Sequence, residues 1–84
     1  MFSERFQLPI RLSRHAQIRM VERGVDAAMV LDLVETGTLK FKDERRFWAF
    51  KHYAGREDNL ICVAAVLEDV LFVKTLMHHF TPED

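Results

Sequence analysis

A chain of 84 residues is long enough for one hydrophobic core and too short for two, so residues 1–84 read as a single domain. A hydrophobic fraction of 49% beside 30% charged residues excludes a disordered chain, and the longest apolar run, residues 60–67, is too short to cross a bilayer. A net charge of −1 and a pI near 6.4 argue against a surface that coats nucleic acid broadly.

The sum conceals an asymmetry. Residues 1–24 carry five arginines against Glu4 and Glu22, whereas the rest carries seven basic and eleven acidic side chains. A local positive face on a mildly acidic body is expected. No basic lead followed by an apolar stretch opens the chain, so a cytoplasmic location is expected, with no membrane partner. Cys62 has no cysteine to pair with and lies in an apolar run, which suits a buried, reduced thiol.

In chain order, residues 1–12 read as an extended lead-in, because Pro9 forbids an uninterrupted helix. Ser13 is a natural N-cap for a helix over residues 14–23, and Gly24 suits its left-handed end. Helical spacing puts Ala16, Ile18, Met20 and Val21 on a broad apolar side, with His15, Arg19, Glu22 and Arg23 opposite. Asp26 caps a second helix over residues 27–35, Val25 is placed to staple against Val30, and Gly37 stops it. Asp32 and Glu35 stand out as the polar residues of this helix, so most of its circumference must be covered.

The period then changes. Residues 38–42 alternate apolar and polar, residues 46–53 are rich in aromatics, residues 60–67 are apolar on both faces, and residues 70–78 close the set. Asp43-Glu44 and Glu68-Asp69 supply turns, residues 55–59 a polar loop, and residues 81–84 a frayed tail. Short connections predict an α+β fold: two N-terminal helices packed on a four-stranded antiparallel meander over residues 38–79.

His15, Arg19 and Arg23 recur every four residues and so form one row along the first helix. Two guanidiniums in a row match phosphate oxygens, since each planar fork donates paired hydrogen bonds. His15 sits in the first turn, where the positive end of the helix dipole favours the neutral imidazole that a general base requires. The bland reading is a solvated helix face in which Arg19 pairs with Glu22 or His15. Arg14, Arg45, Arg46, Lys51 and Lys74 are further candidates for phosphate contact. Lys74 and Thr75 interrupt the last apolar strand and are expected on opposite faces, where Lys74 also serves to protect an exposed sheet. The same alternation would keep His78 and His79 from chelating one ion, so neither a metal site nor any cofactor is expected. Gly24-Val25-Asp26 looks like a helix-turn-helix linker, yet Ala28, Met29, Val30, Leu31 and Leu33 offer nothing to read base edges.

The stretch Ser13-Arg14-His15-Ala16-Gln17-Ile18-Arg19-Met20-Val21-Glu22-Arg23-Gly24-Val25 resembles the opening of a family of small bacterial proteins catalogued as domain of unknown function 4258. Its members begin H-A-x-x-R-M-x-x-R-G, continue through a second helix ending in Gly, here Glu35-Thr36-Gly37, and finish with apolar strands; the resemblance covers about residues 12–76. That family looks related to RelE/ParE-like and BrnT-like toxins and the wider barnase–colicin–RelE group. The resemblance implies a RelE/barnase-like fold and metal-independent RNA cleavage, in which the 2′-hydroxyl attacks the adjacent phosphate. It implies His15 as acid/base, Arg19 and Arg23 as phosphate ligands and, more loosely, Thr75 in the site. RNA and an antitoxin protein are the partners it implies. The competing expectation is a non-catalytic binding or regulatory module that self-associates through the aromatics Phe41, Phe47, Trp48 and Phe50.

Overall fold

The computed structural model describes residues 1–57 and 60–81. The end of the expected polar loop, residues 58–59, and most of the expected tail, residues 82–84, lie outside the described residues. Eight elements follow one another: β1 Phe2–Ser3, β2 Leu8–Leu12, α1 Arg14–Arg23, α2 Ala27–Thr36, β3 Thr38–Phe41, β4 Arg46–Lys51, β5 Ile61–Leu67 and β6 Leu71–Met77.

Both helices start and stop on local chemistry. Ser13 accepts the Ala16 N–H at 2.9 Å, and Asp26 accepts the Met29 N–H at 2.9 Å. Gly24 ends α1 at φ 64°, a left-handed conformation that suits glycine, and the Val25 N–H closes back on the Met20 carbonyl at 2.9 Å. Gly37 has a different reason for being glycine. Its φ is −67°, but a Cβ there would collide with the Leu33 carbonyl and crowd the Phe50 backbone. Distant arginines satisfy the last carbonyls of each helix: Arg56 reaches those of Arg23 and Gly24, and Arg5 those of Val34 and Gly37.

The sheet corrects the expected architecture. It has six strands in the order β1-β2-β6-β5-β4-β3, and two of them precede the helices. It is also mixed: every neighbouring pair is antiparallel except β2 and β6, which run parallel with Ile10 opposite Leu71 and Leu12 opposite Val73. The expected four-stranded antiparallel meander behind two N-terminal helices is therefore wrong, although the class remains α+β. Residues 1–12, expected as one extended lead-in, hold β1 and β2, paired antiparallel across a turn. The aliphatics of β2 enter a ladder whose partner lies at the other end of the chain, and a parallel pairing carries no hairpin signature.

One face of the sheet carries the core. Ile10, Phe47, Ala49, Ile61, Val63, Ala65, Leu71, Val73 and Leu76 pack with Ala16 of α1 and Val30, Leu33 and Val34 of α2. Phe47 is central, stacked on Phe6 at 4.9 Å and tilted against Phe41 at 5.1 Å. The two helices meet the sheet unequally: α1 lies against β6 at one side, whereas α2 spans β1, β4 and β5. The broad apolar side expected of α1 is thus a narrow seam. Ala16 is buried and Met20 half-buried, but Ile18 is 48% and Val21 84% exposed.

The polar residues of α2 are spent on neighbouring elements. Glu35 accepts hydrogen bonds from the Ser3 hydroxyl at 3.1 Å and from the Glu4 and Arg5 N–H groups, which holds the β1–β2 turn to the helix. Asp32 accepts from Tyr53 Oη at 2.6 Å and Lys51 Nζ at 2.9 Å. Tyr53 and then Lys51 hold the Asp32 carboxyl below its ordinary value, while burial and then Asp32 push the Tyr53 phenol up.

Candidate functional site

Two groups of predicted residues separate in the fold. The first is on α1. Its first turn is fixed to the sheet, because Ser13 donates its N–H to the Val73 carbonyl at 2.9 Å and its hydroxyl to the Lys74 carbonyl at 2.6 Å. His15, two residues on, is exposed, and Arg19 one turn later points its Nε at the His15 Nε2 across 3.5 Å. That contact is long for a hydrogen bond. Arg19 also donates Nη1 to Glu22 at 3.2 Å, so the solvated-face pairing and the His15 contact coexist. Arg23 does not complete the row through any bond to Arg19 or His15; its Nε is buried without a hydrogen-bond partner among the described residues. Arg14 is exposed beside them.

The second group is on the sheet, and its members divide. Lys51 faces the helices and is tied to Asp32 and to the Thr36 hydroxyl, each at 2.9 Å, with its ammonium 5.5 Å from the Tyr53 ring centre. It is a strut between β4 and α2, not an open cation. Arg45 turns toward the β5–β6 hairpin, bonding the Leu67 carbonyl at 3.1 Å and Glu68 at 3.4 Å. Arg46 is held through Nε by Asp43 at 2.6 Å. The Asp43 carboxylate also caps the Arg45 and Arg46 N–H groups, and these two backbone bonds, then the Arg46 side chain, pull it down to about 2.

Lys74 and Thr75 depart from the expected alternation. Val73 opposes Ala65 and Thr75 opposes Ala64, which leaves Lys74 as the extra residue of a β-bulge. Directly opposed residues share a face. Thr75 therefore lies with Ala64, Trp48 and Lys40 on the side away from the helices. Lys74 projects there too, lining a shallow cavity of about 140 Å³ with Lys42, Arg46, Trp48 and Ala64. The strand residues of this open face include Arg11, Phe72, Lys74, Thr75, Met77, Cys62, Ala64, Val66, Arg46, Trp48, Phe50, Thr38 and Lys40, and none of these is acidic. The positive surface of this chain is thus the open sheet, not only the arginine-rich first third. Lys42 and Lys40 escaped the sequence reading because period-two alternation puts lysine on any wet strand; only the register shows them beside Trp48.

The same register resolves the aromatics. Phe47 is buried in the core and Phe41, 47% exposed, leans on it from the same face, whereas Trp48 and Phe50 are on the open face, where Phe80 meets them at 5.6 and 5.3 Å. Cys62 is buried between Phe50 and Met77 on that face, and burial pushes its thiol up to about 12, so it is no nucleophile. His78 and His79 lie beyond the end of β6, and their rings come within 4.6 Å of each other rather than facing apart. Among the described residues, no three His, Cys, Asp or Glu side chains gather as a metal site, and no helix is long and apolar enough to cross a membrane.

No curated protein and no solved structure matches the chain. A family model described as Domain of unknown function (DUF4258) matches residues 12–78, the stretch from the last residue of β2 to just past β6. That span holds both the His15–Arg19 pair and the bulged Lys74, and the chain belongs to the DUF4258 family.

Proposed function

We propose that this chain is a toxin-like endoribonuclease that cleaves RNA without a metal and is held in check by an antitoxin protein. The observation that carries the reading is the His15–Arg19 pair: an exposed imidazole whose Nε2 is next to a guanidinium at 3.5 Å, on a helix anchored at Ser13. The H-A-x-x-R-M-x-x-R stretch is that of the DUF4258 family, and that family's resemblance to RelE/ParE-like and BrnT-like toxins suggests the reaction class. His15 Nε2 takes the proton of a ribose 2′-hydroxyl as its oxygen attacks the adjacent phosphorus. Arg19 exchanges its weak contact with His15 for the phosphorane oxygens, where charge accumulates, and Arg23 assists on the same phosphate, whereas Thr75, on the sheet face away from the helices, takes no part. The bond from phosphorus to the 5′-oxygen breaks, that oxygen takes a proton from water, and a 2′,3′-cyclic phosphate and a 5′-hydroxyl result.

Purified protein incubated with single-stranded RNA tests this. Cleavage is expected to persist in EDTA, to leave cyclic phosphate ends, and to fall by about 10²–10⁴-fold in His15→Ala. Arg19→Lys should not restore the loss seen in Arg19→Ala, because an ammonium lacks the planar fork. Intact RNA with wild-type protein, together with harmless induction in a bacterial host, would refute the enzymatic reading.

A further inference from the structure

The cavity on the open sheet face calls for an occupant. Three cations line it: Lys42 at the end of β3, Arg46 at the start of β4 and Lys74 on the β6 bulge. Among the described residues neither Lys42 nor Lys74 has an ion-pair partner, and Arg46 is paired only through Nε. Trp48 forms part of the wall, half-buried and braced edge-on by Phe80 at an interplanar angle of 61°. A ligand matched to this arrangement presents several negative charges along a chain and a flat π-surface between them. Charges alone would suit any polyanion, and an aromatic ring alone any apolar group; their combination selects a nucleotide strand.

Two other depressions fit such a strand poorly. One is lined by Asp43 and Glu44 beside Arg45 and Arg46, the other by Glu4 and Glu35 beside Arg5. Each sets carboxylates against a phosphate. The bulge adds an independent reason. An unbroken β6 would alternate, and Lys74 and Thr75 would part company across the sheet; the extra residue turns both onto the Trp48 side. The carbonyl of that same Lys74 receives the Ser13 hydroxyl, so the cavity's cation and the first turn of α1 share one anchor.

We propose that single-stranded RNA docks on the open face, with one base stacked on Trp48 and the flanking phosphates held by Lys42, Arg46 and Lys74. The inference deepens the endoribonuclease reading and rests on its choice of RNA, but it concerns binding and is separable from cleavage. The strand crosses from the β3–β4 end of the sheet toward the bulge and the start of α1.

The test uses the full chain and a 2′-O-methyl oligouridylate of about eight nucleotides, which binds but has no hydroxyl to attack. Trp48 is the single tryptophan, so its fluorescence reports stacking at this position alone. Quenching on titration is expected, with a log–log salt slope of about −0.7 for each phosphate neutralised. Trp48→Ala should weaken binding about 5- to 100-fold while Trp48→Phe largely retains it. Lys42→Ala and Lys74→Ala, both on exposed side chains, should each weaken binding and flatten the salt slope by about 0.7. Unmoved tryptophan fluorescence with affinity unchanged in Lys42→Ala/Lys74→Ala overturns the proposal whether or not Trp48→Ala folds. Equally tight binding of inorganic polyphosphate overturns the nucleotide assignment. Binding that meets these expectations without any RNA cleavage would sustain the docking face and refute the enzyme.

Discussion

The two faces of one sheet are built to opposite ends. On the covered face Phe47, Val63 and Leu76 are buried beneath the helices. On the open face Trp48, Ala64 and Thr75, one residue along on each strand, are only partly covered and are bordered by Lys40, Lys42, Arg46 and Lys74. Alternation lets a strand serve both purposes with successive residues. The covered face carries most of the buried core, so substitutions of the partly covered residues of the open face are expected to cost less stability than those beneath the helices.

Substitution across one peptide bond of β4 breaks this comparison most directly. Phe47→Ala should cost about 3–5 kcal/mol, since it removes a buried ring stacked on Phe6 and tilted against Phe41. Its neighbour Trp48→Ala should cost about 1–2 kcal/mol, because that ring is only half-buried. Urea denaturation of the two variants measures both; equal losses would mean the open face is part of the core. Next comes the seam between α2 and the sheet, where Gly37→Ala should cost about 1–3 kcal/mol because a Cβ meets the Leu33 carbonyl and the Phe50 backbone.

A smaller effect concerns Asp32, whose carboxylate links α2 to Lys51 and Tyr53. Its folded pKa is depressed, so the stabilisation is present above the unfolded carboxyl value of about 3.9 and lost as pH falls through the folded value. With its side chain 39% exposed, solvent screens the pair, and Asp32→Asn should cost no more than about 1 kcal/mol at pH 7. Melting curves of wild type and Asp32→Asn should converge below that window and separate above it. The smallest effect is expected from Lys74→Ala, within about 0.5 kcal/mol of wild type by the same melts. A large loss there would show that the bulge depends on its lysine.

Much of the local structure was legible. Ser13, Gly24 and Asp26 mark the helix ends, and period-two patterning locates the four strands that follow. The oddity of Asp32 and Glu35 in an apolar helix was a fair signal too, since both turned out to serve neighbouring elements. What escaped was non-local. β2 pairs with β6 across nearly the whole chain, so Ile10 gives no hint of Leu71. The bulge reverses a face by one residue, and nothing in the run from Leu71 to Met77 announces it. Of the site, the contact of His15 with Arg19 followed from helical spacing alone, whereas the grouping of Lys42, Arg46 and Lys74 with Trp48 depends on a register that only folding fixes.

The parallel pairing of β2 with β6 has a consequence for synthesis. A hairpin zips as soon as its second strand emerges, but Ile10 must wait for Leu71. Until then the translated chain carries α1 and α2 over a sheet that lacks the strand to which Ser13 ties the first helix. The closing of that long loop is entropically costly and comes late. A nascent chain would therefore acquire the anchored first turn of α1, and with it the His15–Arg19 surface, only once β6 has been synthesised.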